Sequence, residues 1–154
     1  MKFKGPMLVV KDMEKSKAFY TKVIGVRVIA DLGENVTLTG GLSLQTESSW
    51  VEFTHCTPDF FKYQGNDAEM YFEEDDFDSF REKLAKLGVE QLGEEIEMPW
   101  GQKVIRLYDP DKHIVEVGED LSVMMKRLQA TGLTIEELAE KTGLTPKMIE
   151  RLLK

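Results

Sequence analysis

Apolar and polar side chains alternate along two short segments, residues 102–108 and 113–117, near the end of the main body of the chain. The sequence between them, Asp109-Pro110-Asp111-Lys112, contains residues that favour a tight reversal of the backbone. Alternation on both sides of such a turn predicts a β-hairpin. In this interpretation His113 is a packing or turn residue and not a metal ligand.

The same alternation predicts which side chains of the hairpin lie together, because residues two apart share a face of a strand. Arg106 and Tyr108 share one face of the first strand, and Glu116 lies on the polar face of the second. The opposite faces are apolar and are expected to pack on a helix; they carry Ile105, Leu107, Val115 and Val117. The polar face is either a solvated surface with a cross-strand ion pair or part of a binding site.

An order of strand, capped helix, glycine and further strands occurs twice in the sequence. In each copy an aspartate suited to capping a helix stands 13 residues before a glycine suited to ending it, Asp12 before Gly25 and Asp75 before Gly88. The first copy predicts a helix at 13–24 and strands at 7–10, 26–32, 36–39 and 42–46. The second predicts strands at 69–73 and 89–92 before the hairpin, and a helix that is capped by Asp75 or Asp76 and carries Phe77, Phe80, Leu84 and Leu87.

The repeat predicts an α+β fold made of paired βαβββ units, at 1–47 and 68–119, joined by a linker at 48–67. One such unit cannot bury both faces of its sheet. We therefore expect the two to form a curved mixed sheet with helices outside and a concave cavity, where ligands preferentially bind. The linker carries three aromatic residues that predict either a flap or a dimer contact: Phe60, Phe61 and Tyr63.

Charge is distributed unevenly along the chain. The protein has 154 residues and a formal net charge of −8, of which residues 1–119 hold −9 and residues 120–154 hold +1. An acidic body argues against nucleic acid as the ligand and favours a cationic small molecule or a metal ion, unless the acidity serves solubility alone. With no signal-peptide pattern, no membrane-length apolar stretch and Cys56 as the single cysteine, we expect a cytoplasmic protein without disulfides.

Residues 120–154 have the pattern of a small helical extension. Helical spacing covers 121–130, Thr134 and Glu137 predict a capping box, Gly143 ends that helix, and Thr145-Pro146 begins a third. The last two helices resemble a helix-turn-helix, which in DNA-binding proteins places its second helix in the major groove. The low charge of the tail and the three glutamates of its middle helix instead favour packing against the body or a second subunit.

The segments LVVKDMEKSKAFYTKVIG and PWG…DPD…IVEV resemble the vicinal oxygen chelate superfamily. This superfamily includes glyoxalase I, extradiol dioxygenases, fosfomycin resistance enzymes and bleomycin resistance proteins. The resemblance covers residues 3–119 and implies a small-molecule ligand and a homodimer. It leaves the reaction open, because members use one scaffold for several chemistries.

In metal-dependent members of the superfamily, four inward side chains, usually His, Glu or Gln, hold a divalent metal. Matched residue by residue, the resemblance places Gln45, Glu69 and Glu116 at three of these positions and Gly5 at the fourth, and a slip of one residue would replace Glu69 by Ala68. Glycine has no side-chain donor, so the set is incomplete unless the N-terminal residues or a partner subunit compensate. The candidate ions are Mg²⁺, Mn²⁺, Ni²⁺ and Zn²⁺, and oxygen ligands favour the first two over Zn²⁺. A metal-free acidic cavity is favoured over a metal centre.

Three hypotheses for the function follow. The first, favoured by the missing fourth ligand, is a bleomycin-resistance-like protein that sequesters or senses a small, cationic ligand. Its predicted ligand-binding residues are Gln45, Trp50, Tyr71, Trp100, Arg106 and Tyr108. The second is a metal-dependent lyase, isomerase or transferase, or a dioxygenase relative, with Glu116 and Glu69 as catalytic residues and one of them as a general base. The third is a ligand-sensing regulator whose tail contacts DNA.

Overall fold

A computed structural model describes all residues from Met1 to Lys154, and they form two compact units. The first unit contains Met1–Asp67 and the turn Asp109–His113; the second contains Ala68–Tyr108 and Ile114–Lys154. None of the helices combines the length and the apolar character that a membrane span requires.

The first unit is built around a four-stranded mixed sheet. Its elements are β1 (Met7–Val10), α1 (Met13–Phe19) continued by a π-helical turn (Tyr20–Ile24), β2 (Val28–Asp31), β3 (Asn35–Leu38), β4 (Ser43–Thr46), α2 (Glu47–Thr54) and a 3₁₀ turn (Pro58–Phe60). The strand order is β1-β4-β3-β2, with β1 parallel to β4 and the other pairs antiparallel. The strands and the first helix lie where the sequence predicts them, within about two residues, which is the usual uncertainty of element ends.

The predicted helix boundaries of this unit are confirmed by the contacts at both ends. The carboxylate of Asp12 accepts a hydrogen bond from the backbone N–H of Lys15 at 3.1 Å, as an N-cap does. Gly25 ends the helix in the left-handed conformation at φ 88°, which glycine adopts without steric cost. The N-cap at Asp12 and the glycine at position 25 are local signals, so the ends of this helix can be predicted from the neighbouring sequence alone.

The linker predicted at residues 48–67 contains a helix that the sequence analysis did not predict. Eight of the residues from Glu47 onwards form helix α2, and the hydroxyl of Thr46 caps it by accepting from the N–H of Ser49 at 3.4 Å. Ser49 is the one buried residue of this helix. The helix was missed because it has no apolar stripe, which is the main sequence signal of a surface helix.

The second unit repeats the topology of the first. Its elements are β5 (Glu69–Glu74), α3 (Phe77–Leu87), β6 (Ile96–Glu97), β7 (Lys103–Tyr108), β8 (Ile114–Glu119), α4 (Leu121–Ala130), α5 (Ile135–Thr142) and α6 (Pro146–Leu152). The strand order β5-β8-β7-β6 corresponds to β1-β4-β3-β2, and β5 again runs parallel to β8. The duplicated βαβββ unit and the hairpin β7–β8 are confirmed, as are the buried apolar faces of the hairpin.

The strand predicted at 89–92 is wrong in position. Only an isolated bridge joins Gln91 to Leu107, and the strand that pairs regularly with β7 is β6, at Ile96–Glu97. Two backbone hydrogen bonds still tie the earlier segment to β7, including Leu92 N–H to the carbonyl of Arg106 at 2.8 Å. Gly93, at φ 80°, then turns the chain away, so the pairing is interrupted and resumes three residues later.

Asp109 organises the turn of the hairpin through four contacts. Its Oδ1 accepts from the backbone N–H groups of Asp111 and His113, both at 2.9 Å. Its Oδ2 accepts from the hydroxyl of Tyr20 at 3.0 Å and lies 2.9 Å from Nδ1 of His113. His113 is thus a turn residue. Burial is the main reason that the pKa of Tyr20 is raised well above its ordinary value, and the Asp109 charge adds to it, which keeps the phenol protonated as a donor.

The three helices predicted for the tail are present. They enclose a small apolar core of Met124, Met125, Leu128, Leu138 and Ile149. Thr134 and Glu137 form the predicted capping box, and Gly143, at φ 72°, ends α5. The connection from α5 to α6 is three residues long, as in a helix-turn-helix.

Arg127 of α4 anchors this tail to the strands of the second unit. Its Nε and Nη2 donate to the two carboxylate oxygens of Glu119, at 2.9 and 2.7 Å, and Nη2 also donates to the carbonyl of Gly101 at 2.5 Å. The side chain of Glu119 is only 4% exposed, so its charge depends on this bidentate partner. The tail therefore packs on β8 and on the loop before β7.

We predict that Asp109→Asn destabilises the protein by about 1–3 kcal/mol, because the amide presents a donor where Tyr20 and His113 need an acceptor. Urea denaturation followed by circular dichroism measures the change. Asp75→Asn is the matched control, since Asp75 is exposed and makes no side-chain contact, and it should change the free energy of unfolding by less than about 0.5 kcal/mol. Equal effects of the two substitutions would contradict the assigned role of Asp109.

We also predict that Arg127→Met lowers the free energy of unfolding by about 2 kcal/mol, because it leaves Glu119 buried without its cation. Lys126, the exposed neighbour of Arg127, supplies the control. Lys126→Met should change the free energy of unfolding little in the same denaturation experiment. Arg127→Lys should recover only part of the loss, since an ammonium cannot reproduce the bidentate contact. Full rescue by lysine would show that charge alone matters here.

Candidate functional site

Strand register brings charged and aromatic side chains together on the second sheet. Glu116 of β8 is paired with Arg106 of β7 on one side and with Tyr71 of β5 on the other. Glu69 is two residues before Tyr71 and so lies on the same face. We call these four residues, Glu69, Tyr71, Arg106 and Glu116, the Arg106 cluster.

Arg106 holds both carboxylates of this cluster. Its Nε donates to Oε2 of Glu69 at 3.0 Å, and its Nη2 forms an ion pair with Oε2 of Glu116. The side chain of Glu116 is 12% exposed, against 39% for Glu69. Glu116 is thus the more buried of the two carboxylates, and its polar contacts are with the guanidinium of Arg106 and with Glu69.

The surroundings of Glu116 change its acidity. Burial is the largest effect and raises the pKa of the carboxyl, the charge of Arg106 lowers it, and the nearby Glu69 raises it again, so that the net direction is upward. The pKa of Arg106 is raised chiefly by its hydrogen bond to Glu69. Glu116 is therefore a better proton acceptor than an ordinary glutamate, next to a permanently charged guanidinium.

Tyr71 is held in place by a chain of hydrogen bonds that begins in the loop before β7. The indole N–H of Trp100 donates to Oε1 of Gln102 at 3.1 Å, and Nε2 of Gln102 donates to the hydroxyl of Tyr71 at 2.7 Å. The same amide nitrogen donates to the carbonyl of Glu119 at 2.8 Å. Burial raises the pKa of Tyr71 to about 12, so its hydroxyl stays a donor, here to Glu73 at 3.0 Å.

Sequence analysis missed Gln102 as a site residue. The amide is buried, and a side chain at Gly118 would displace it, because a Cβ there would lie 2.7 Å from Nε2 of Gln102 and 3.0 Å from the hydroxyl of Tyr71. A glutamine directly after Pro-Trp-Gly and at the start of an alternating strand was the available signal. This signal could not be used from the sequence, because it requires knowing that Gly118 leaves space for the side chain of Gln102.

The other predicted site residues are found in different surroundings. Gln45 belongs to the first unit, where its Oε1 accepts from Asn35 Nδ2 at 2.6 Å and its Nε2 donates to Oγ of Ser49. Trp50 is half-buried on α2 of the same unit. In the second unit Tyr108 is half-buried at the end of β7 and Trp100 is 37% exposed. The structure thus brings together Glu69, Tyr71, Arg106 and Glu116, with Trp100 linked to them through Gln102.

The residues proposed as metal ligands do not fit a metal centre. No group of three or more His, Cys, Asp or Glu side chains is arranged to hold an ion. The two glutamates that do meet, Glu69 and Glu116, are both paired with Arg106. Hard divalent cations need several free oxygen donors, and here a guanidinium already occupies the shared side of the pair.

Comparison with known proteins decides the family. A family model described as glyoxalase-like domain matches residues 3–122. The chain belongs to the glyoxalase-like family, within the vicinal oxygen chelate superfamily. This glyoxalase-like protein matches no curated protein.

Solved structures similar to this glyoxalase-like chain have diverse descriptions. A protein of unknown function from Agrobacterium tumefaciens str. C58 is 31% identical with a TM-score of 0.70, and the match covers 79% of this chain and 95% of that one. Lactoylglutathione lyase from A. tumefaciens is 21% identical, TM-score 0.55, covering 75% and 90%. The fosfomycin resistance protein FosX from Listeria monocytogenes is 21% identical, TM-score 0.57, covering 80% and 98%. The last two similarities show the fold alone.

We predict that the carboxyl pKa of Glu116, followed by ¹³C NMR titration, lies above its ordinary value of 4.5 and rises further in Arg106→Met, because the lowering effect of the guanidinium is lost. Arg106→Lys retains a positive charge and should give a smaller rise. A Glu116 pKa at or below 4.5 in the wild type would contradict the assigned burial.

The stability of the protein should reflect the same shift. Because the folded-state pKa of Glu116 is raised, its ionisation opposes folding above that pKa. Relative to Glu116→Gln, the wild type should therefore gain stability as the pH falls through the folded-state pKa, with the full gain present below the pKa of the unfolded chain. Urea denaturation across this pH range measures the difference.

Proposed function

We propose that this glyoxalase-like protein binds a small organic cation at the Arg106 cluster. One observation carries the proposal: the carboxylate of Glu116 is only 12% exposed, and its charge is neutralised by the side chain of Arg106. Buried charges are stable only when they are paired. A ligand with an amidinium, guanidinium or ammonium group can take the place of Arg106 as the cationic partner of this carboxylate.

Arg106 is suited to being displaced in this way. Its side chain is 27% exposed, so the guanidinium reaches solvent when it leaves the carboxylates. Arginine also has a long, flexible stem that carries its charge away from an apolar surface. The strands beneath remain fixed by the backbone pairing of β5, β8 and β7, which does not involve the side chain.

Aromatic side chains near the cluster support a cationic ligand. Tyr71 is 47% exposed and Trp100 is 37% exposed, which are high values for large aromatic residues. Aromatic faces attract cations by about 0.5–2 kcal/mol, depending on desolvation. The net charge of −9 on residues 1–119 also raises the local concentration of cations.

A proton-transfer enzyme is the second candidate function, and the raised pKa of Glu116 favours it. A carboxylate with a raised pKa is a better general base than an ordinary glutamate. In this version Glu116 accepts a proton from the bound molecule, and the guanidinium of Arg106 stabilises the negative charge that develops on that molecule. The metal-dependent version is not proposed, because the ligand set does not fit an ion.

The predicted homodimer is retained as part of the proposal. The edge strand β2 exposes apolar side chains, with Ile29 64% and the following Leu32 78% exposed. Exposed apolar edge strands are pairing surfaces that proteins normally cover. A regulator that contacts DNA is not proposed, because Arg127 is bound to Glu119 of β8 and the exposed face of α5 carries Glu136, Glu137 and Glu140.

We predict that benzamidinium shifts backbone amide signals of Tyr71, Arg106 and Glu116 in ¹H–¹⁵N NMR spectra, whereas benzamide, its neutral analogue, does not. Glu116→Gln should weaken the binding of benzamidinium at least tenfold, because the amide cannot neutralise the cation. Glu94→Gln is the matched control, since Glu94 is exposed and makes no side-chain contact.

Two outcomes would overturn the proposal. Equal shifts with benzamide would mean that the ring and not the charge is recognised. Unchanged affinity in Glu116→Gln, with the fold confirmed by the dispersion of the same spectra, would remove Glu116 from the site.

A further inference from the structure

Each of the four positions at which the superfamily resemblance places a metal ligand is closed by a local contact in this chain. In the first unit Gly5 has φ 129°, and a Cβ there would lie 1.9 Å from the carbonyl oxygen of Gly41. Any side chain is therefore excluded at that position unless the backbone moves. Packing therefore prevents a ligand side chain at position 5, and replacing this glycine alone would not restore the ligand.

The second predicted ligand position of the first unit, Gln45, is also not free to bind a metal. Gln45 is 4% exposed, and both ends of its amide are used, by Asn35 and by Ser49. The amide orientation that these partners fix has the oxygen directed at Asn35. A metal would have to break that hydrogen bond to gain a neutral and comparatively weak ligand.

The two positions of the second unit are the glutamates of the Arg106 cluster. Oε2 of Glu69 and Oε2 of Glu116 both face the same guanidinium, which carries one fixed positive charge. The pair thus already has a cation between its members. A divalent ion that approached would meet Arg106 at close range, and its repulsion by the guanidinium is about twice that of a singly charged organic cation at the same distance.

We infer that Arg106 is the built-in cation of this site and that it excludes divalent metals. The guanidinium takes the position between Glu69 and Glu116 that a metal ion would take. It binds the two carboxylates through directional N–H donors, whereas a metal ion would bind them as coordinating ligands. Arg106 is consequently the specificity-determining residue: with it the carboxylates are reserved for organic groups, and without it they attract divalent cations. The inference goes beyond the proposed function and is independent of the organic ligand, because it is tested with a metal ion alone.

The test is a titration with Mn²⁺, in which the free ion is measured by electron paramagnetic resonance. Wild type and Arg27→Met should bind Mn²⁺ equally weakly; Arg27 is exposed and makes no side-chain contact, so this control removes the same charge elsewhere. Arg106→Met should bind at least tenfold more tightly than Arg27→Met. Adding Glu116→Gln to Arg106→Met should abolish the gain.

Three results would overturn the inference. They are one equivalent of Mn²⁺ bound by the wild type at micromolar affinity, no gain in folded Arg106→Met, or a gain that survives Glu116→Gln. Should Arg106→Met not fold, paramagnetic broadening of the Glu69 and Glu116 carboxyl ¹³C signals is measured in the wild type. Preferential broadening of these two signals over that of exposed Glu94 would overturn the inference, and equal broadening would support it.

Discussion

A carboxylate that is taken out of water needs a partner, and in the second sheet the partner of Glu116 is Arg106. The register of β7 and β8 pairs these two residues directly across the ladder, and β5 adds Glu69 and Tyr71 on the same face. The ion pair therefore follows from strand pairing and does not depend on a flexible loop. Everything proposed for the site depends on this contact, because the same guanidinium neutralises both glutamates, lowers the pKa of Glu116 against the effect of burial and occupies the space between the two carboxylates.

Other buried carboxylates of the protein show how unusual Glu116 is. Asp109 accepts hydrogen bonds from two backbone N–H groups and from Tyr20, and Glu119 receives two bonds from Arg127. Their hydrogen-bonding capacity is filled by the fold itself, so they stabilise structure and have little left for a ligand. Glu116 has no backbone donor of this kind, and its charge is matched by a side chain, Arg106, that is 27% exposed. A bound cation can replace a solvent-accessible side chain more readily than it can replace a backbone N–H group.

Local signals carried most of the fold prediction. Asp12 and Gly25, and the matching Asp76 and Gly88, delimit helices through contacts with their own neighbours, so they are recognisable without tertiary information. Alternation around Arg106 and Glu116 likewise predicted the shared face. The features that the sequence analysis did not predict depend on tertiary contacts or lack a local signal. Helix α2 buries only Ser49 and shows no apolar stripe, and β6 is displaced to Ile96–Glu97 because the chain turns at Gly93. Gln102 reaches Tyr71 only because Gly118 leaves room for it, which is a tertiary fact.

The tail illustrates why a motif does not settle a function. Its last two helices have the short glycine-containing connection of a helix-turn-helix, but the structure accounts for them by packing alone. Arg127 of α4 faces the strands and donates hydrogen bonds to Glu119 and to the carbonyl of Gly101. Helix α4 also packs closely on Gly101, because a Cβ there would lie 2.9 Å from the side chain of Leu128. Gly101 directly precedes Gln102, the residue that holds Tyr71. Helix α4, on which the two helices of the motif pack, thus braces the loop that supports the Arg106 cluster, and Lys141 of α5 donates to the carbonyl of Pro99 in the same loop at 3.4 Å. These contacts give the tail a structural reason to be part of the same compact unit.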